Sequence, residues 1–378
     1  MRKHVIWLLA LLLLLCGCAR QDAAQAQSDA EVTWQALEPE HSMELLYADQ
    51  FGVDYFAGGY KVITIGAGDV YLVVPGGAAV PSGIPENVAV LQQPLDHIYL
   101  VATSAMDLFR ELDALDTITL TGTDADGWYI EEAKAAMRAG TIAYAGKYSA
   151  PDYERILADG CDLAVESTMI YHTPEVKEQL ERLGVPVLVE RSSYESHPLG
   201  RMEWLKLYAA LLNKETEAEA YFSGLMETLT PILSQENTGK TVAFFYITSA
   251  GAVNVRRSGD YIAKSISLAG GQYLPRDTAS DENAQSTMNM QMESFYAEAR
   301  DADVLIYNST IDGELQTIDQ LLSKSELLKD FKAVETGNVW CTGKNLFQQS
   351  LGLGSLITDI NAILTEEDPE TVFLYRLG

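Results

Sequence analysis

Tyr153-Glu-Arg-Ile-Leu-Ala-Asp-Gly-Cys-Asp-Leu-Ala-Val-Glu-Ser-Thr168 has a counterpart in Met292-Glu-Ser-Phe-Tyr-Ala-Glu-Ala-Arg-Asp-Ala-Asp-Val-Leu-Ile-Tyr-Asn-Ser-Thr310. In each, an acid (Glu154 or Glu293) opens a helical stretch, an Asp (Asp162 or Asp303) follows, and a short apolar run leads into Ser-Thr. The second copy is two residues longer between the acid and the Asp. A helix feeding a short apolar run is half of a βαβ unit, with the run buried on both faces of a parallel sheet.

The same alternation continues outward from each copy. In the first half, Ile98–Ala102 precedes a helical Ala105–Leu115, Thr117–Leu120 precedes a helical Tyr129–Arg138, and a helical Pro174–Leu183 stops at Gly184 before Val185–Val189. In the second half, Thr241–Ile247, Val304–Tyr307 and Val339-Trp340 alternate with helical Tyr261–Leu268, Glu293–Ala299, Ile318–Leu328 and Ser355–Leu364. Between them, Leu199–Leu233 is helix-forming and free of Pro until Pro231, with Trp204, Leu205, Tyr208, Leu211 and Leu212 at helical spacing. The expected fold class is α/β, with two α/β lobes joined by one long connecting helix. The expected divisions are an N-terminal lobe over 36–198, a connecting helical segment over 199–238 and a C-terminal lobe over 239–378. Such lobes leave a ligand cleft between the carboxyl ends of their strands.

The N-terminus decides the compartment. Arg2 and Lys3 precede eleven apolar residues, Val5 to Leu15, a run too short for the ~20 residues of a comfortable membrane span. Residues 1–17 read as a signal peptide. Leu15-Cys16-Gly17-Cys18 resembles a lipobox, which makes Cys18 the acylated N-terminus of an extracytoplasmic, membrane-anchored protein. Residues 18–35 are poor in large apolar side chains and read as a flexible tether. The chain carries 54 acidic against 26 basic residues, a net charge of −28, which repels nucleic acid. Once Cys16 is cleaved and Cys18 lipidated, Cys161 and Cys341 remain, in opposite halves, and read as two buried thiols.

Signatures of catalysis are sparse. The sequence contains neither G-x-S-x-G nor H-E-x-x-H, and Gly239-Lys240-Thr241 follows Ser234 where a phosphate loop needs its first Gly. Glu195-Ser-His-Pro-Leu-Gly-Arg-Met-Glu-Trp204 is the densest polar run. It reads as the entry to the connecting helix, with Glu203 complementing the helix dipole. Arg256-Arg257 follows a strand in this acidic chain, and planar guanidinium forks suit carboxylate, phosphate or catecholate oxygens. Trp128, Tyr144, Tyr148, Tyr171, Trp340 and Phe347 fall after strands or in Gly-bearing loops, with Lys147 and His172 beside them. As a set these residues suit a large or aromatic ligand in a cleft.

Together these features resemble the helical-backbone solute-binding lipoproteins that feed ABC importers for ferric siderophores, haem and cobalamin. The resemblance covers nearly the whole mature chain. It rests on the lipobox, on the stretch around Glu154 and Asp162, on Leu183-Gly184-Val-Pro-Val-Leu-Val before the Glu195 to Trp204 run, and on Gly270-Gly271. Gly160-Cys161-Asp162 stands where the family has Pro-Asp, and the segment 57–93 is longer than the first strands need. The resemblance implies a monomer with no catalytic residue and no resident cofactor, capturing a chelate of iron, with cobalt in a corrinoid or haem iron as alternatives. It implies an ABC permease dimer with its ATPase as partner, docked through Glu154 and Glu293. A reading of a different class is an extracellular hydrolase using the same cleft.

Overall fold

The computed structural model describes residues 32–276 and 287–378. The signal peptide, Cys18 and the tether through residue 31 lie outside the described residues. The described chain begins with a sheet that the sequence reading folded into the first lobe. It comprises β1 (Pro39–Ser42), β2 (Phe51–Phe56), β3 (Lys61–Ile65), β4 (Asp69–Val74) and β5 (Val88–Gln92), in that spatial order. β1 to β4 are antiparallel neighbours, and β5 runs parallel to β4. In β3, Lys61, Ile63 and Ile65 are buried while Thr64 faces out, the two-residue period of a strand with one covered face. The βα alternation expected from about residue 60 therefore begins only after this sheet. A short turn with Gly66 at φ 57° joins β3 to β4, and residues 75–87 return from β4 to the parallel β5 without a crossover helix. Val32–Gln35, expected in the tether, are held on this sheet: Trp34 N–H donates to Ser82 O and Ser82 N–H to Val32 O, each at 2.9 Å.

The first lobe holds β6 (Ile98–Leu100), α1 (Met106–Glu111), β7 (Ile118–Thr121), α2 (Glu131–Ala139), β8 (Ala143–Tyr144) and a small hairpin of β9 (Gly146–Lys147) and β10 (Ala150–Pro151). It continues through α3 (Tyr153–Asp159), β11 (Leu163–Ser167), α4 (Pro174–Arg182) and β12 (Val187–Glu190). Its sheet is parallel, in the order β12-β11-β6-β7-β8.

The connector is two helices, α5 (Pro198–Leu212) and α6 (Glu215–Leu233), because Asn213 turns left-handed at φ 57°. Lys61 of β3 caps the break, its Nζ donating to Ala210 O at 2.6 Å, Asn213 Oδ1 at 2.8 Å and Glu215 Oε1 at 2.5 Å.

The second lobe contains β13 (Thr241–Ile247), β14 (Val253–Arg256), α7 (Tyr261–Leu268), β15 (Gln272–Leu274) and β16 (Thr287–Met290). After α8 (Met292–Ala299), β17 (Val304–Tyr307), three short helices and β18 (Val339–Thr342), it closes with α9 (Gly352–Thr365) and β19 (Leu374–Arg376). Parallel β15, β13, β17 and β18 carry antiparallel β14, β16 and β19 at their flanks.

The repeated Asp has a physical task in both lobes. Asp162 Oδ2 accepts the N–H of His97 at 3.0 Å and its own N–H donates to His97 O at 2.9 Å. Asp303 Oδ2 accepts the N–H of Thr241 at 2.7 Å and returns its N–H to Thr241 O at 3.0 Å. Each pins the start of one central strand to its neighbour. Registers match in consequence: Ala164 lies between Tyr99 and Val187, and Leu305 between Ala243 and Val339. Cys161 and Cys341 are free and buried, in separate cores.

Every residue of α5 except Arg201 and Leu212 is buried, as befits a helix apolar nearly all round. It runs through one continuous core that takes in Ile63 of the first sheet, Leu108 of the first lobe, and Val242 and Ile360 of the second. Its two internal ionisable groups are matched to the backbone of the N-terminal segment. Glu203, fully buried, accepts the N–H groups of Leu46 and Tyr47 at 2.8 Å and of Ala48 at 2.9 Å, and pairs with Lys206 at 3.2 Å. Glu195, just before the helix, accepts from Asp49 N–H at 2.9 Å, Gln50 N–H at 3.0 Å and Trp204 Nε1 at 2.8 Å. Glu203 thus binds a nest of successive amides rather than serving as a dipole complement. Gly200 permits this approach, since a Cβ there would sit 2.8 Å from Tyr47 O.

Glu203→Ala leaves three backbone amides without their acceptor and takes from the Lys206 ammonium its buried carboxylate partner, leaving it Glu44 O. Removing one member of a buried charged pair costs about 3–5 kcal/mol, and chemical denaturation of this variant is expected to read a loss in that range. A loss below ~1 kcal/mol would show that the segment 46–48 is held by other contacts.

Candidate functional site

The parallel strands of both lobes end toward a common cleft, and exposed apolar side chains gather at those ends. In the first lobe they are Tyr144 at the end of β8, Met169 and Tyr171 after β11, and Tyr194 after β12, each 44–45% exposed. Across from them, Ile311 is 68% exposed after β17 and Phe347 45% exposed after β18. Grouped exposure of this kind marks a binding surface, whereas isolated exposed apolar residues carry no such meaning.

The floor is cross-linked. Gln348, 1% exposed, spans the lobes: its Nε2 donates to Gly127 O at 2.8 Å while its Oε1 accepts Tyr129 N–H at 2.7 Å. Ser350 Oγ donates to Ser104 O at 2.9 Å, and Leu351 N–H donates to the buried Asp107 carboxylate at 3.0 Å. Tyr129 and Phe347 meet edge to face with centroids 6.1 Å apart.

Positive charge lies on this floor and its first-lobe wall. The Tyr261 ring sits between two guanidinium groups, Arg201 at 3.7 Å and Arg256 at 5.6 Å from its centroid. Arg256 also pairs with Asp260 at 3.5 Å, and Asp260 caps α7 by accepting Ile262 N–H at 2.9 Å. Burial raises the pKa of the Asp260 carboxyl, and the nearby Arg256 opposes that shift. Glu190, at the end of β12, accepts from Ser192 N–H at 2.8 Å and Ser104 Oγ at 3.1 Å, and burial pushes its carboxyl above the ordinary range. Arg191 Nη1 donates to the Tyr171 hydroxyl at 3.0 Å, and its guanidinium lies 4.5 Å from the Tyr194 ring.

Two residues expected in the cleft are core residues instead. Trp128 is fully buried and its Nε1 donates to Thr123 O at 3.3 Å; the ring fills the first lobe beneath α1 and α2. Trp340 lies within β18 opposite Arg376, is 3% exposed, and bonds Asn338 Oδ1 at 2.8 Å. Strand-adjacent aromatics in a two-layer lobe are claimed by covering helices unless they lie beyond the last ladder bond. Tyr148 is half-buried and packs on the outer core of the first lobe. Tyr144, Lys147, Tyr171, His172 and Phe347 are exposed. Arg256 ends β14 rather than standing in a loop, and Arg257 follows it, half-buried. Glu154 and Glu293 are exposed, each the second residue of its helix, α3 or α8.

Sequence reasoning missed Arg191, Tyr194, Arg201, Tyr261 and Gln348. Arg191 and Tyr194 directly follow a recognised strand, so position alone could have marked them; Arg201 lies within the Glu195 to Trp204 run, which was read as a helix entry, and Gln348 carries no sequence signal that separates it from surface residues. Glu166 was also missed: fully buried with both oxygens unpartnered, its carboxyl is pushed up to about 8 by burial. It shares the face of β11 with Ala164 and so points into the outer core of the first lobe, not the cleft. Among the described residues no group of three His, Cys, Asp or Glu could hold a bare metal ion.

A lipoprotein of Methanocaldococcus jannaschii is 27% identical over 353 residues, covering 86% of this chain and 81% of the relative. Among solved structures, the periplasmic haem-binding protein HutB of Vibrio cholerae superposes with a TM-score of 0.56 at 16% identity, covering 69% of this chain and 97% of that one. The periplasmic catecholate-siderophore binding protein VctP of Vibrio cholerae gives 0.54 at 14% identity, covering 72% and 95%. The family model described as periplasmic binding protein matches residues 100–346, more than half of the chain, and begins only after the N-terminal sheet. The chain therefore belongs to the periplasmic binding protein family, and it is a solute-binding protein of the ABC-importer type rather than an enzyme.

Proposed function

We propose that the cleft captures an anionic metal chelate, a ferric siderophore, and that the protein delivers it to an ABC permease. The observation that carries this reading is the gathering of Arg191, Arg201 and Arg256 at the cleft of a chain whose net charge is −28. Cations concentrated there against the overall field favour an anionic ligand and steer its approach. The flanking tyrosines and Phe347 supply flat apolar surface for a chelate's rings.

A haem or corrinoid is the second reading, and one arrangement favours it. Met169, Tyr171 and His172 share a single exposed turn, and the Tyr171 hydroxyl accepts a bond from Arg191 that would stabilise a metal-ligating phenolate. Absorption spectroscopy with native mass spectrometry of protein purified from its source separates these readings, because ferric catecholates, haem and corrinoids differ in colour and mass.

Arg256→Ala combined with Arg257→Ala is expected to weaken binding of the co-purifying complex at least tenfold. A charge-assisted hydrogen bond is worth about 1.5–3 kcal/mol and a decade of affinity about 1.4 kcal/mol. Unchanged affinity in a titration would remove the pair from the site.

Cys18 is the proposed lipid anchor. Cys18→Ala should move the protein from the membrane fraction into the medium, and retention in the membrane would assign anchoring to an uncleaved apolar segment.

Glu154 and Glu293 are proposed to dock the two lobes on arginines of the permease dimer. Their exposure at matching helix starts supports this. Glu154→Ala with Glu293→Ala should leave thermal stability and ligand affinity nearly intact while abolishing stimulation of the transporter's ATPase in reconstituted vesicles. Full stimulation would overturn the docking assignment.

A further inference from the structure

Beneath the aromatic rim lies an inner chamber of 220 Å³. It is walled by Ser104, Ser192 and Ser193 from the first lobe, Arg201 from α5, and Tyr261 and Phe347 from the second lobe. Whole ligands of this size class occupy about 300–1,000 Å³, so the chamber admits one arm of a ligand whose body stays in the cleft. Its lining is rich in hydroxyl groups, includes one full positive charge, and contains no carboxylate.

Arg201 has donors to spare. Its Nη2 donates to Ser193 O at 2.7 Å and its face lies on Tyr261, yet its Nε–H is buried without a partner. A guanidinium carries five N–H donors, and a buried one left unpaired costs free energy that a ligand acceptor would recover. The nearest acids are already engaged. Glu190 turns its oxygens to Ser192 N–H and Ser104, behind the chamber wall, and Asp260 is taken by Arg256 and Ile262 N–H.

We propose that this chamber is a subsite for one carboxylate arm of the captured chelate, held by Arg201 and the hydroxyl group of Ser193. The inference rests on the chelate reading given under Proposed function and names the ligand's chemistry within it. A carboxylate matches the single charge of Arg201 and the planar fork of its donors. A phosphate dianion would leave one negative charge uncompensated beside the single guanidinium, and a metal cation would be repelled by it. Chelates that carry free carboxylates, such as hydroxycarboxylate complexes, are therefore favoured over those built from catechols alone.

Titration calorimetry on the full mature protein tests this with two probes: ferric citrate, and a ferric tris-catecholate complex whose ligands have no carboxylate. Arg201→Gln is expected to lower the affinity for ferric citrate tenfold or more and that for the tris-catecholate, which loses only the attraction of one cation to its overall charge, by a factor at least threefold smaller. Ser193→Ala keeps Arg201 and the fold in place, and should lower citrate affinity threefold or more with the same selectivity. Retained citrate affinity in the serine variant, or equal losses for both probes, overturns the subsite, because Arg201 would then act on the lobe geometry alone. Binding of the tris-catecholate but not of citrate by the wild type overturns the subsite and leaves the cleft reading standing. Binding of neither overturns both.

Discussion

Five consecutive backbone amides, from Leu46 to Gln50, are all taken by the two buried carboxylates Glu203 and Glu195. Ionised groups held this way are costly to strip of their partners, so the attachment holds the N-terminal segment firmly. It also fixes the axis of α5, the element around which both lobes pack. Lys206, donating to Glu44 O at 3.1 Å and pairing with Glu203, extends the same fastening by one more turn. Lys61 performs the complementary task at the far end of the helix, where three carbonyl-type acceptors converge on its ammonium. The added sheet is thus a brace, gripping the connecting helix at both ends from outside the matched family region.

A braced helix changes what the cleft can do. With α5 immobile and Gln348 bonding the opposite lobe through both ends of its amide, the floor is a fixed surface and mobility is left to the rims. Fixed floors suit preorganised charge. Arg201 stands in the first turn of α5, Tyr261 begins α7 and Arg256 ends β14, so the stacked guanidinium, ring and guanidinium arrangement is positioned by two helix starts and a strand end rather than by loops. Like charges this close are tolerable because Asp260 and the ring faces offset them, and because part of the repulsion is relieved when an anion arrives.

Much of the scaffold was legible because its causes are local. The limits of β17 and α7 follow from apolar runs and spacing alone, and the repeated Asp was visible because one residue type meets the same need, an acceptor for a strand-opening amide, in both lobes. The N-terminal sheet was not legible as a separate unit, since its strands have the same composition as those of a βαβ lobe and only the missing helices distinguish them. The site was legible in part. Residues beyond strand ends, such as Tyr171 and Phe347, are exposed where their position suggested, but Trp128 and Trp340 lie in the core because ring size says nothing about which layer covers the ring. Arg201 was hidden for a further reason: its importance comes from a stacking partner sixty residues away, a long-range contact that no spacing rule encodes.

The topology also ties capture to delivery. In a βαβ unit the helix runs back against the strands, so a helix that precedes a central strand starts on the side where the strands end. α3 precedes β11 and α8 precedes β17, so Glu154 and Glu293 share the end of the molecule that carries the cleft. The difference in spacing between the two copies of the repeat falls after the acid, within α8 and the turn that follows, and leaves the start of the helix in place. One geometric rule therefore brings the ligand-facing residues of each lobe and its proposed docking acid to the same rim. A partner that grips both acids also spans the two lobes, and so can sense or change their separation at the mouth of the cleft.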